Sequence, residues 1–319
     1  MKKISVITPV FNEEENILDL VKNIKKIMSK ESLYLFEHIF IDNDSNDKTM
    51  ELIKNLIKAN PHIGLIKNRR NFGGLRSTFY ALKTVDCDAA ILLSADMQEP
   101  LELIPQFLRK WENGHMIVGG IKKTSDENFL MFQTRSLYYK ILSSISDIKP
   151  IKGFTGFALY DAEVLEKFNT INDQLPYVRG LPSDFGFDIE EIEYHQIERL
   201  RGNPSNSIFD LIEIAMIGLT SHSKAPIRMA SIMGGFLAFI SIIVGLIYLV
   251  LKLLYWNSFE LGLAPILVFM TFTFAIQILF LGLIGEYVAK INIQVTKRPL
   301  VIEESRTNYP VETLLNQKK

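Results

Sequence analysis

Ser94-Ala95-Asp96-Met97-Gln98-Glu99-Pro100 follows directly on Ala89-Ala90-Ile91-Leu92-Leu93, and reading these two stretches together decides the fold. An uninterrupted apolar run of this length, bounded by polar residues, has the pattern of a strand covered on both faces, as in a parallel sheet. An acidic residue at the carboxyl end of such a strand stands at the mouth of the sheet, where open α/β folds bind their ligands. Asp96 and Gln98 lie two positions apart, so a chain that stays extended and turns at Pro100 offers both oxygens to one hard cation. Such a cation keeps several waters and links one or two protein oxygens to substrate phosphates. The stretch therefore predicts a metal-diphosphate site, with nucleotide bound by the N-terminal strands. A glutamine at 98 also suits a helix cap, the competing reading for that residue.

Working outward, strands and helices alternate. Ile4-Ser5-Val6-Ile7-Thr8 reads as a first strand stopped by Pro9. Asn12 with Glu15 three residues on forms a capping-box pattern for a helix running to about Lys30, and Glu13, Glu14 and Glu15 suit its positive end. Residues 36–41 make a second strand that ends in the turn cluster Asp42-Asn43-Asp44-Ser45-Asn46-Asp47. Met50, Ile53, Leu56 and Ile57 mark a second helix, residues 63–66 a third strand, and residues 75–83 a third helix behind the loop Arg69-Arg70-Asn71-Phe72-Gly73-Gly74. After the acidic stretch come a helix at 101–112 and a strand at 116–118. This order predicts an α/β fold, a mainly parallel sheet with helices on both faces.

Beyond about Lys122 the alternation stops. Residues 129–145 carry a wide apolar and aromatic stripe, read either as a helix on a membrane surface or as a core helix. Residues 153–160 read as loop then strand, 187–194 as a strand with one wet face, 199–207 as a polar loop, and 208–219 as an amphipathic interfacial helix. Residues 229–251 and 261–285 carry no charge, and each exceeds the roughly 20 residues that cross a hydrocarbon core. Lys224, Arg228, Lys290, Lys297 and Arg298 flank the outer ends of these runs while Lys252 alone sits between them, which places both ends in the cytoplasm. The domains expected are 1–207 (the cytoplasmic α/β domain), 208–228 (a juxtamembrane amphipathic helix), 229–290 (a two-helix transmembrane hairpin) and 291–319 (a cytoplasmic tail, polar and loosely ordered from Val301). Gly234-Gly235 and Gly282 suit close helix packing, leaving self-association into a homo-oligomer open.

Composition narrows the class. The 319 residues hold 35 Lys+Arg against 36 Asp+Glu, and no basic face or base-stacking motif points to nucleic acid. Mean hydropathy is +0.14, raised by the two C-terminal runs. Cys87 is the only cysteine, so no internal disulfide forms and a reducing compartment fits. The apolar run after Lys2-Lys3 is broken by Pro9 and too short for a secretory signal. The five histidines are scattered singly and read as surface or satisfied interior residues.

Six stretches, with the paired spans, resemble the family 2 glycosyltransferases that charge a polyprenyl phosphate, the dolichyl-phosphate mannose synthase and bactoprenol glucosyltransferase types. They are Val6-Ile7-Thr8-Pro9-Val10-Phe11-Asn12-Glu13-Glu14, Ile41 to Asp47, Arg70-Asn71-Phe72-Gly73, Ala95-Asp96-Met97-Gln98-Glu99-Pro100, Arg179-Gly180-Leu181 and Gly285-Glu286-Tyr287. The resemblance implies a GT-A fold, a divalent metal (Mg2+ or Mn2+), a UDP- or GDP-linked sugar donor and a polyprenyl phosphate acceptor at the inner membrane face. It implies nucleotide-sugar contacts from Pro9, Phe11, Glu13, Asp42, Asn43, Ser94 and Ala95, and metal ligation by Asp96 and Gln98. Lys122 and Arg135 fall where the family keeps cations for donor or acceptor phosphates, with Asp96 and Arg135 as the catalytic pair. Arg199 and Arg201 fall on the loop that closes over the diphosphate.

The match has departures. Ser94 stands where family members have an acidic residue, Gly74-Leu75 where they often have Lys-Glu, and Ala158 near the place of a usual basic residue. Ile121 replaces an arginine beside Lys122, and Pro204-Ser205-Asn206 replaces a Ser-Lys-Tyr type run. Two other activities stay open: transfer directly to a glycolipid or polymer, and a catalytically silent homologue that scaffolds a membrane assembly.

Overall fold

The computed structural model describes residues 1–125, 151–197, 199, 201, 223, 225–255 and 263–308. The expected helices at 129–145 and 208–219 lie outside the described residues, as do Arg135, Pro204-Ser205-Asn206 and the chain from 309 onward.

Strands β1 (Lys2–Val10), β2 (Tyr34–Asp42), β3 (Ile63–Asn68) and β4 (Ala89–Leu92) alternate with helices α1 (Ile17–Met28), α2 (Thr49–Ala59) and α3 (Gly74–Thr84). They pair in parallel in the order β4-β1-β2-β3. Pro9 does not stop β1: it pairs with Ile41, while the β4 ladder already ends at Ile7, so the amide that proline lacks is not needed on that side. Because β1 and β4 are covered on both faces, two apolar layers form. One holds Ile4, Val6, Leu20, Ile24, Phe107 and Trp111. The other holds Ile7, Ile66, Phe79, Leu82, Tyr160 and Phe168. Each fully covered Leu, Ile or Phe adds about 1.5–3 kcal/mol relative to exposure. His38 is buried with Nε2 2.9 Å from the Thr8 hydroxyl, and burial pushes its pKa down to about 3, so it stays neutral.

After α4 (Ile104–Glu112), β5 (Ile117–Ser125) does not extend the parallel run. β6 (Phe154–Asp161) inserts between β4 and β5, antiparallel to both, and β7 (Glu190–Gln196) lies parallel to β5 at the edge. The four strands β4-β1-β2-β3 are thus parallel, and the β6-β5-β7 side is mixed. Glycines make the insertion fit: a Cβ on Gly120 would meet Phe157 at 2.7 Å, and one on Gly153 would meet the Lys122 carbonyl at 2.4 Å. Asp161 caps α5 (Ala162–Thr170), accepting from the Glu163 amide at 2.8 Å. A short α6 (Leu181–Asp184) follows.

The two apolar runs form α7 (Ala225–Leu254, 30 residues) and α8 (Leu263–Thr296, 34 residues), each long and apolar enough to cross a membrane. α8 does not stand apart from the sheet. Gln294 accepts from the Gln174 amide at 3.1 Å and donates to Asp173, and the Tyr287 hydroxyl donates to the Ser223 carbonyl at 3.2 Å.

The expectation of a loosely ordered tail from Val301 is corrected. Glu303–Thr307 forms β8, antiparallel to β3, and completes the eight-stranded sheet. Its charges have partners: Lys67 with Glu304 at 2.8 Å, the Tyr80 hydroxyl with Glu303 at 2.6 Å, and Arg306 with Glu303 at 2.6 Å.

Candidate functional site

The carboxyl ends of β1, β2 and β4 meet at one mouth, and the loops leaving them carry most of the expected site residues. At the end of β4, Ser94 is exposed and Ala95 buried, while Asp96, Met97 and Gln98 are half-buried. Met97 adopts φ +57°, a left-handed conformation that folds the loop back on itself. Asp96 Oδ1 accepts from the Gln98 amide at 3.2 Å. Burial pushes the Asp96 carboxyl above the usual range, with the Gln98 amide and the positive charge of Arg199 opposing the rise. The Gln98 side chain donates through Nε2 to the Ile197 carbonyl at 3.2 Å, which commits its nitrogen and leaves Oε1 to serve a cation. Among the described residues no three carboxylate, imidazole or thiolate side chains gather as a protein-only metal cage. The donor set on hand is one carboxylate and one amide oxygen. That set fits a hard divalent ion which completes its shell with water and substrate phosphate.

At the end of β1 the capping box does not form. Asn12 takes φ +55° and its amide oxygen accepts from the Asn46 backbone at 2.8 Å, so it braces the β2 turn instead of a helix end. Glu13 receives two contacts from Arg199 Nη2, at 2.8 and 2.7 Å, and a third from Asn16 Nδ2 at 2.7 Å. Burial raises the Glu13 pKa; the Asn16 bond and the Arg199 charge and hydrogen bond oppose the rise, and the Asp96 charge adds to it. Glu13, Asp96 and Arg199 thus feel one another across the mouth. Arg201 reaches the other side of α1, meeting Asp19 Oδ2 at 3.0 Å. Ile197 and Arg199 therefore tie the chain leaving β7 to the mouth, and Arg201 ties it to α1.

At the end of β2, Asp42 is fully buried, its two oxygens 3.3 and 3.2 Å from the Ser45 amide. Burial raises its pKa, opposed by the Ser45 hydrogen bonds and by Lys67. Asn43 spends its side chain on the neighbouring loop: Nδ2 donates to Asn71 Oδ1 at 2.8 Å, and Oδ1 accepts from Asn68 Nδ2 and the Phe72 amide, each at 3.0 Å. Arg70 lies over the Phe72 ring at 4.0 Å. Pro9 and Phe11 are half-buried beside this network, and Lys122 is half-buried on β5. Two departures find a structural reason. Ala158 is fully buried in the second apolar layer, and Ile121 packs there too, so a cation at either place would be buried among hydrocarbon.

Sequence reasoning passed over Glu99, whose buried carboxylate accepts from the Ser94 amide at 2.9 Å and the Thr155 hydroxyl at 3.1 Å. Burial pushes its pKa up to about 7. Adjacency to Gln98 in a motif otherwise read for its metal ligands was the available signal.

Residues 5–168 match the model of Glycosyl transferase family 2. The chain belongs to that family. This family 2 glycosyltransferase is 30% identical over 97% of its length to the uncharacterized glycosyltransferase YkcC of Bacillus subtilis (strain 168), covering 94% of it. It is 31% identical, again over 97% of its length, to the SfII prophage-derived bactoprenol glucosyl transferase of Shigella flexneri, covering 100% of that chain. Among solved structures, the mannosyltransferase PcManGT of Pyrobaculum calidifontis, held with GDP-Man and Mn2+, aligns with 71% of this chain and 64% of its own, at a TM-score of 0.46 and 17% identity.

Proposed function

We propose that this glycosyltransferase moves one sugar from a nucleotide diphosphate to a polyprenyl phosphate at the cytoplasmic face of the membrane, with inversion at the anomeric carbon. The observation that carries the reading is the cluster at the sheet's mouth: Asp96 and Gln98 at the end of β4, with Arg199 strapped across from β7. Near-full-length similarity to a protein named bactoprenol glucosyl transferase supports the lipid acceptor.

Asp96 and Gln98 would hold a divalent cation, Mg2+ or Mn2+, which when bound offsets charge building on the departing diphosphate. Arg199 brings positive charge to the same place, with Arg201 assigned to the diphosphate by family position, and preorganised charge of this kind supplies most of the rate enhancement in many enzymes. Asp42 and the Asn43–Asn71–Phe72 network form the wall offered to the nucleoside, with Pro9 and Phe11 beside it. The acceptor phosphate is ionised near neutral pH, so no strong general base is needed. Its oxygen bonds to the anomeric carbon from the face opposite the leaving group. The bond from that carbon to the diphosphate oxygen breaks, and the electron pair leaves with the nucleotide. Arg135 and Lys122 are assigned to the phosphates by family position.

Anchorage follows from α7 and α8. Tyr287 on α8 holds Ser223, just before α7, and α8 leads into β8 of the catalytic sheet, which supports a hairpin with both ends on the catalytic side. The catalytic domain, 1–207 completed by β8, then stays at the surface where the acceptor head group lies, replacing a three-dimensional search with proximity.

The test is a radiolabel assay on membranes with Mn2+ or Mg2+, a panel of nucleotide sugars, and organic extraction. Label is expected in the organic phase with one donor and should disappear in Asp96→Ala. Folded protein that labels no lipid with any donor overturns the reading in favour of a silent, scaffolding homologue.

A further inference from the structure

The loop that carries Asp96 begins and ends on one buried side chain. Glu99 Oε2 accepts from the backbone amide of Ser94 at 2.9 Å, closing residues 94–99 into a ring. Glu99 Oε1 accepts from the Thr155 hydroxyl at 3.1 Å, tying that ring to β6. Thr155 is itself held: its carbonyl accepts from Arg179 Nε at 3.0 Å and its hydroxyl lies 3.4 Å from that of Tyr194 on β7. The carboxylate is 5% exposed, and among the described residues no lysine or arginine forms an ion pair with it. Inside the ring, Met97 sits at φ +57°, a conformation that costs a non-glycine residue on the order of 1 kcal/mol and persists only where surroundings enforce it. A buried acid facing only neutral donors is a costly way to close a loop. Its two oxygens bind the loop after β4 and a residue of β6, a geometry that an aliphatic side chain does not reproduce.

We propose that Glu99 is a positioning residue for the metal-diphosphate site: by pinning the Ser94 amide and the Thr155 hydroxyl together, it fixes the direction in which Asp96 meets the cation. The inference rests on the metal reading given above, and goes beyond it in assigning cation affinity to a residue that does not touch the ion. Outer groups that orient a metal ligand are commonly worth about 10–100-fold in affinity.

The test uses the full chain in detergent, with Mn2+ alone as the probe and free Mn2+ followed by electron paramagnetic resonance. Methionine at 99 keeps the length of the side chain but offers no oxygen, so both ties must break, whereas a glutamine amide could still accept from the Ser94 amide and donate to the Thr155 hydroxyl. Glu99→Met is expected to weaken Mn2+ binding about tenfold while leaving the melting temperature within a few degrees. Its turnover should be restored at raised Mn2+, the metal's apparent KM moving and kcat holding. Thr155→Val removes only the hydroxyl tie and should weaken Mn2+ binding by about threefold; it carries the test if Glu99→Met does not fold. Unchanged Mn2+ affinity in a folded variant, or a kcat defect that extra Mn2+ does not restore, overturns the proposal alone. Wild-type protein that binds no Mn2+ overturns the metal reading, and this proposal with it.

Discussion

Arg199→Ala should cost more stability than Glu13→Gln, and the difference can be worked from the contact between them. The guanidinium lies 2.8 and 2.7 Å from the two Glu13 oxygens, with side chains 15% and 10% exposed. Two unit charges about 4 Å apart attract by about 4 kcal/mol at an effective dielectric of about 20. Removing one partner of a buried pair costs about 3–5 kcal/mol, chiefly because the other charge is stranded. Glu13 would keep only the Asn16 amide, and the residual exposure sets the cost at the lower end, about 3 kcal/mol. Glutamine at 13 still accepts from Arg199, so that change should cost about 1 kcal/mol. With both changes no charge is stranded, and the double variant should fall between them, a coupling of roughly 2 kcal/mol. At about 2–4 °C per kcal/mol, Arg199→Ala should melt about 6–12 °C low. The assay is thermal unfolding of the full chain in detergent at pH 7 and again near pH 5. Burial raises the folded-state pKa of Glu13, so the stranded carboxyl protonates as pH falls and the penalty should shrink. Equal single-variant costs, strict additivity, or a penalty that grows in acid would refute the reasoning.

Three further outcomes are expected. The Glu99 carboxyl moves from 4.5 in its ordinary state to about 7 when folded, so the native protein holds the extra proton between those values. Stability should fall by up to about 3 kcal/mol as pH rises through that window, and Glu99→Gln should flatten the slope in urea titrations. Gly153 has φ +79° and its missing Cβ would lie 2.4 Å from the Lys122 carbonyl; Gly153→Ala should cost about 3 kcal/mol, whereas Gly74→Ala, with open space around it, should be neutral or gain up to about 1 kcal/mol. Tyr80→Phe removes the hydroxyl that meets Glu303 at 2.6 Å; a loss of about 1.5 kcal/mol should speed amide exchange in β8 roughly tenfold, read by mass spectrometry.

Local chemistry made much of this molecule legible in the chain. The apolar run at 89–93, the punctuation after each strand and the two uncharged runs each carry their meaning within a few turns of chain, and the parallel half of the sheet and both long helices follow from them. What escaped was decided by partners far away in sequence. Asn12 and Glu15 have the residues of a capping box, but Asn46 claims Asn12 and α1 starts at Ile17. Arg199 looked like a loop cation, and its tie to Glu13 spans 186 positions. The alternation of strands and helices could not reveal that β6 returns to wedge between β4 and β5. The polar run Glu303–Thr307 has no apolar alternation because it is an edge strand fastened by its charges to Lys67 and Tyr80.

That edge strand ties biosynthesis to competence. The Lys67–Glu304 contact joins residues 237 positions apart, and both long apolar helices lie between them. While a ribosome is still making the hairpin, the outer rim of β3 has no neighbour, and an open rim invites pairing with the wrong chain. With the hairpin in the bilayer as proposed, the last strand reaches its place only after the second helix has been delivered there and the chain has come back. Until β8 pairs with β3 the rim stays open beside Asn68, which holds Asn43, so the last strand to be made is the one that completes the fold around the proposed nucleoside wall.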